Sequence, residues 1–174
     1  MSGVISLERA RLERKIRKGF INWNTLFESR FGIATRIKDI PDKALVFLAG
    51  GGRESPFYYY DLIMNLKDLG TGFGFDELET IDKMTVIDIH LFLLDRIRYE
   101  YMKRLEWLVS YPGEKITMVE LIVNFNDLAP GIQAKPAALS RNHPCYGEYI
   151  SKNLFEKEEV IRKLIPEALK ILAL

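Results

Sequence analysis

Cysteine is nearly missing from this chain. Its 174 residues include one, Cys145, so no internal disulfide can form. With only two histidines beside it, the chain cannot supply an all-Cys/His structural zinc site. Long apolar runs are also missing. Uncharged stretches such as Ala44–Gly52 reach about half the length of a membrane-spanning helix. The N-terminus lacks the order of a secretory signal, because Arg9 to Lys18 stay charged where an apolar segment would sit. These absences predict a cytoplasmic protein without a transmembrane segment. No internal repeat, low-complexity tract or linker divides the chain, so residues 1–174 are expected to form a single helical domain. A period-two alternation of apolar and polar residues is lacking as well, which argues against a sheet protein.

Net charge is small, at +1, because 25 Lys/Arg balance 24 Asp/Glu, but the distribution is uneven. Residues 1–38 hold nine Lys/Arg against three Asp/Glu, or +6, and the remainder carries −5. The two parts can attract each other within the fold, or the basic part can face nucleic acid or an anionic surface.

What the chain does have is helical periodicity. From Thr85 to Ser110, Val86, Ile89, Leu93 and Ile97 recur at helical spacing, as do Ile87, Leu91, Leu94, Tyr101, Leu105 and Leu108. Such a helix, apolar nearly all round in its first half, calls for other elements around it. The fold class is therefore all-α: a single-domain bundle of seven to eight helices around a long central helix at about 85–110. Thr85 and Asp88 offer that helix a capping signal, and Tyr111-Pro112-Gly113 ends it.

The other elements follow from their stop and start signals. A basic helix at about 4–18 carries Leu7, Leu12 and Ile16 and stops at Gly19. Thr25 with Glu28 forms a capping box for a short second helix ended by Gly32. Pro41 opens a third through Leu48, although residues 44–48 also fit a buried strand. Ser55 as N-cap and Pro56 in the first turn begin a helix to about Leu69, stopped by Gly70. A short helical piece lies near Asp76–Asp82. Thr117 and Glu120 start a helix through about Phe125, with residues 116–125 equally readable as strand. Pro130 to Gly147 reads as loop with at most a short helical turn. The last helix begins at Asn153 and is interrupted or restarted at Pro166; its apolar end, Ile171, Leu172 and Leu174, should dock on the core or on another subunit.

Candidate ligand residues fall in three places. Gly50-Gly51-Gly52-Arg53-Glu54-Ser55-Pro56 sets a glycine loop and Arg53 at a helix start, where amides and the dipole favour an anion. It is not a P-loop, since the Lys-Ser/Thr pair is missing. A tight loop between two helices is the stronger reading of Gly51, Gly52, Arg53 and Ser55, because Pro56 donates no amide and Glu54 repels anions. Gly70-Thr71-Gly72-Phe73-Gly74 lacks the β-α-β context of a nucleotide loop. In the second place, Phe57, Tyr58, Tyr59 and Tyr60 point round a whole circumference; two enter the core and the rest can stack on a ligand or partner, with Tyr59 a candidate. No basic residue interrupts them, which argues against nucleic-acid stacking. His90 lies in the central apolar stripe, as a core imidazole or as a ligand or base in a cavity. The third place is the loop Arg141–Glu148, where His143, Cys145 and Glu148 can converge on a metal, or His143 can act on the Cys145 thiol. A nucleophile pair would also need an orienting group and an oxyanion site, which the sequence does not offer.

Metal and catalytic sets fare poorly. Ile87 and Ser140 stand three residues before the two histidines, where a di-iron bundle needs glutamates. Asp88 and Asp95 lie about 10 Å apart along a helix, too far for one ion; they fit a cap and a partner for Arg98. No metal is expected and no cofactor is identified. The leading expectation is a non-catalytic helical protein acting through self-association or a protein partner. The alternatives are a small anionic ligand at the Gly50–Ser55 loop, and nucleic acid or an anionic surface at Arg9, Arg11, Arg14, Lys15, Arg17 and Lys18.

Overall fold

The computed structural model describes residues 2–172, with side chains from Ser6 onward; the expected docking of Leu174 lies outside them. The chain is all-α. Among the described residues it forms eight α-helices, two 3-10 turns and one two-stranded sheet. In order these are α1 (Ser2–Phe27), a turn at Ile37–Asp39, α2 (Asp42–Gly50), α3 (Ser55–Leu66), a turn at Gly72–Glu77, α4 (Thr80–Arg104), β1 (Leu108–Ser110), α5 (Met118–Val123), α6 (Phe125–Gln133), β2 (Ala138–Leu139), α7 (Tyr146–Ile150) and α8 (Leu154–Leu172).

Gly19 does not end the first helix. α1 runs on to Phe27 and buries Ile16, Phe20, Trp23 and Phe27 at i, i+4, i+7 and i+11. The glycine serves close approach instead: a Cβ there would lie 3.0 Å from the Leu62 side chain of α3. Thr25 does not open a second helix. Its hydroxyl bonds back to the Ile21 carbonyl in the last turn of α1, and Glu28 sits beyond the helix at φ +52. Gly32 ends nothing either; its amide donates to the Thr35 hydroxyl.

Residues 44–48 are helical, in α2 behind Pro41. α3 starts at Ser55 but stops at Leu66, with Gly70 at φ +95 after it. Ser55 is not the N-cap: Glu54 holds that position, and the buried Ser55 hydroxyl has no hydrogen-bond partner among the described residues. The piece near 76–82 is a 3-10 turn at 72–77. Gly72 lets it lie flat on α3, because a Cβ there would meet Asp61 at 2.9 Å while its amide donates to Asp61 Oδ1 at 2.8 Å.

The central helix covers 80–104 rather than 85–110. Thr85 bonds back to the Ile81 carbonyl inside it, so Thr85 and Asp88 cap nothing. It stops where Glu106 turns to φ +67. Residues 108–110 leave the helix to pair antiparallel with β2, Leu108 opposite Leu139 and Ser110 opposite Ala138. α4 packs against α2, α3, α8, β1 and the 37–39 turn, and is central in that sense.

Residues 118–123 are helical, with Thr117 as N-cap accepting from the Glu120 amide. The proline segment is less irregular than its composition implies. Pro130 sits inside α6 and removes one helical amide, while the Leu128 amide still donates to the Asn124 carbonyl and the Ala134 amide to that of Pro130. Pro166 lies on an exposed position of α8, which continues through it to Leu172. Leu172 packs against the core beside Gly50, and Ile171 is exposed. The core centres on an aromatic group in which Trp23 touches Phe20, Phe27, Phe31 and Tyr59 edge-on at 5.5–6.3 Å.

Candidate functional site

The C-terminal turn of α2 gathers several of the candidate residues. A helix end leaves carbonyls without helical partners. Here the buried Tyr59 hydroxyl of α3 donates to the Leu48 carbonyl at 3.0 Å, and Arg98 Nε of α4 donates to the Ala49 carbonyl at 3.0 Å. A guanidinium there also complements the negative helix end. Gly51 follows at φ +65, and a Cβ on it would lie 3.1 Å from Arg98 Nη2. Arg98 therefore occupies the space beneath the glycine loop. Gly52 and Arg53 are exposed above it, and the Gly52 carbonyl accepts from the Ser55 amide.

His90 joins this junction from α4. Its ring lies 4.5 Å from that of Tyr59 and 5.2 Å from Tyr60, which in turn stacks on Phe75 at 4.1 Å. Burial, with the Arg98 charge added, holds its imidazole down at about 4. The folded protein therefore keeps His90 neutral in a range where the unfolded chain takes up a proton. Stability from this group is full above about 6.5, falls as pH drops, and is lost below about 4. Urea midpoints of the parent and His90→Gln should converge as pH falls from 7 to 4.5. Parallel pH profiles would show that His90 titrates as freely in the fold as outside it.

His143 and Cys145 are elsewhere. The His143 ring packs on Trp107 at 5.2 Å, and its Nδ1 accepts from the Cys145 amide at 3.1 Å, so the pair is joined through backbone and not through the thiol. Trp107 follows the far end of α4, so about 20 Å of helix separates this loop from His90. The structure thus brings Gly51, Tyr59 and His90 round one junction and leaves His143 and Cys145 apart. Among the described residues no group of three or more His, Cys, Asp or Glu could hold a metal ion. No helix among them is long and apolar enough to cross a membrane.

Two features escape the sequence reading. The first is a buried polar group on the C-terminal half of α4. Glu100 accepts from the Tyr111 hydroxyl at 2.8 Å and from Arg104 Nε at 3.0 Å, and Arg104 reaches Asp42 at 2.7 Å. Arg96 donates to the Pro112 carbonyl at 2.8 Å and stacks on Tyr99, whose hydroxyl donates to Glu158. Lys103 holds Glu114 at 2.6 Å. These bonds pin residues 111–114 to the helix, beside an open cleft of about 660 Å³ that Tyr111, Ile116, Leu128 and Ile132 help to line. Asp95 belongs to the same side, and its partner is Arg162 of α8 at 2.7 Å, not Arg98.

The second is an uncovered face on the N-terminal half of α4. The expected ring of neighbours is incomplete there: Ile81 is 71% exposed, Met84 60% and Leu91 53%, with Ile87 at 37%. Met84, Ile87, Leu91 and the half-buried Leu94 recur at alternating three and four residues, the spacing of a two-helix seam. At 100° per residue, Lys83 borders this seam on one side and exposed Asp88 on the other. The apolar residues were legible, but whether anything covers them was not. Comparison of the chain with protein-family models, curated proteins and solved structures gives no match.

Proposed function

We propose that this is a non-catalytic, cytoplasmic helical protein that works by self-association, with the α4 seam as the contact between two copies. The observation that carries this reading is the row Met84, Ile87, Leu91 and Leu94, three of whose side chains face solvent. A single exposed leucine needs no explanation, but a heptad-spaced row does. The bordering charges favour a second copy in parallel register. In that arrangement Lys83 of each chain meets the partner's Asp88, an opposite-charge pair repeated on both sides of the seam.

Light scattering after size exclusion should give twice the 20.2 kDa chain mass at high concentration. Leu91→Glu should weaken association by about tenfold or more, since burying a leucine is worth about 1.5–3 kcal/mol. The far-UV spectrum should be unchanged. Reversing either Lys83 or Asp88 should weaken the dimer slightly, and reversing both should restore it. A parent that stays monomeric at its highest attainable concentration overturns the proposal.

A further inference from the structure

The six cations of the basic helix do not act as one patch. Arg11, Arg14, Lys15 and Lys18 stand at i, i+3, i+4 and i+7, and so share a face of α1. That face looks onto the end of α3, and together with Asn65, Asp68 and Gly70 it lines a cleft of about 520 Å³. Arg9 lies on another side of α1, in a separate cleft with Glu8, Leu12, Glu13 and Ile33. Arg17 lines neither cleft. Among the described residues the cationic cleft contains a single carboxylate, Asp68, already paired with Lys15 at 2.7 Å. Among the described residues, Arg11, Arg14 and Lys18 have no ion-pair partner. Like charges at this spacing repel along the helix, so the cleft holds uncompensated positive potential in a concave space.

We propose that this cleft binds a small polyphosphate anion. Arg11 to Lys18 spans about 10 Å of helix, which suits two or three consecutive phosphates. Two guanidiniums can each make a pair of parallel bonds to phosphate oxygens. The volume lies in the range of small-ligand sites. Among the described residues no aromatic side chain lines it, so the phosphates are recognised and a base or other appendage is not.

Calorimetry with sodium tripolyphosphate tests this, with ATP as a second arm. The parent should bind both with similar affinity, weakening as salt is added. Arg14→Gln and Lys18→Gln should each weaken binding about tenfold, and Arg9→Gln and Arg17→Gln should leave it within twofold. Asp68→Asn should tighten binding several-fold, because it frees Lys15, and asparagine tolerates the positive φ of 59 at that position. Helix content by circular dichroism accompanies each variant. Absence of binding at low ionic strength overturns the proposal. So does equal weakening by all four cation variants, or tighter binding of an RNA oligomer through all six cations, either of which would make α1 a general basic surface. These outcomes do not depend on the oligomeric state.

Discussion

Trp23→Ala should lower the stability of the protein by about 3–5 kcal/mol, enough to unfold a marginally stable domain at modest urea. The side chain is fully buried and lies among Phe20, Phe27, Phe31 and Tyr59, all rigid rings that cannot collapse into the space it leaves. Its indole Nε1 also donates to the Tyr58 carbonyl at 2.8 Å, which ties α1 to α3 across the core. The loss therefore combines transfer, cavity and hydrogen-bond contributions. Trp23→Phe keeps much of the volume and should lose less. Urea denaturation followed by circular dichroism measures both, with an unchanged slope showing that the unfolded state is the same. A loss below about 1 kcal/mol for the alanine variant would mean that this aromatic group is not the centre of the core.

Glu100→Ala should destabilise by about 3 kcal/mol. Glu100 is 3% exposed, and both of its oxygens are occupied. Removing the carboxylate leaves the buried Tyr111 hydroxyl with nothing to donate to. It strands Arg104 less, because that guanidinium keeps Asp42 and the Lys38 carbonyl. Burial, and then the neighbouring carboxylate, push the Tyr111 phenol above its ordinary value, so it remains the donor at any working pH. Glu100→Gln keeps an acceptor and should fall between the two. A double-mutant cycle with Tyr111→Phe should show coupling of about 1 kcal/mol or more, since the two side chains are in contact. Additive losses would indicate that the bond contributes nothing beyond its separate groups.

How much of this was legible depends on whether a signal was local. The Thr117 cap was readable because both partners lie within one turn. The all-α architecture follows from periodicity, which is also local. A glycine that stops a helix and one that admits a neighbouring helix look the same in sequence, so nothing local marks which of the two Gly19 is. The difference is Leu62, more than forty residues away. Strand 108–110 depends likewise on residues 138–139, and the pairing of Asp95 on Arg162. An apolar row such as that of Ile87 and Leu91 shows only that it would gain from burial, not that anything covers it. Of the candidate ligand residues, sequence could place Tyr59 and His90 on helices, but not Arg98 beneath Gly51. The four-cation row on α1 was readable at i, i+3, i+4 and i+7; the walls opposite it, from Asn65 to Gly70, were not.

The β1–β2 pairing makes α5 and α6 an excursion that leaves and re-enters through one doorway. Leu108 and Leu139 face each other there, and Ser140 reinforces the frame through its amide to the Trp107 carbonyl and its hydroxyl to the Glu106 carbonyl. With both ends held, a peptide inserted at the exposed Gln133–Lys135 corner need not disturb the residues before or after the doorway. Each doubling of such a loop costs only about 0.6 kcal/mol in closure entropy. That corner is where this chain can grow longer, or carry a tag, without altering the rest of its architecture.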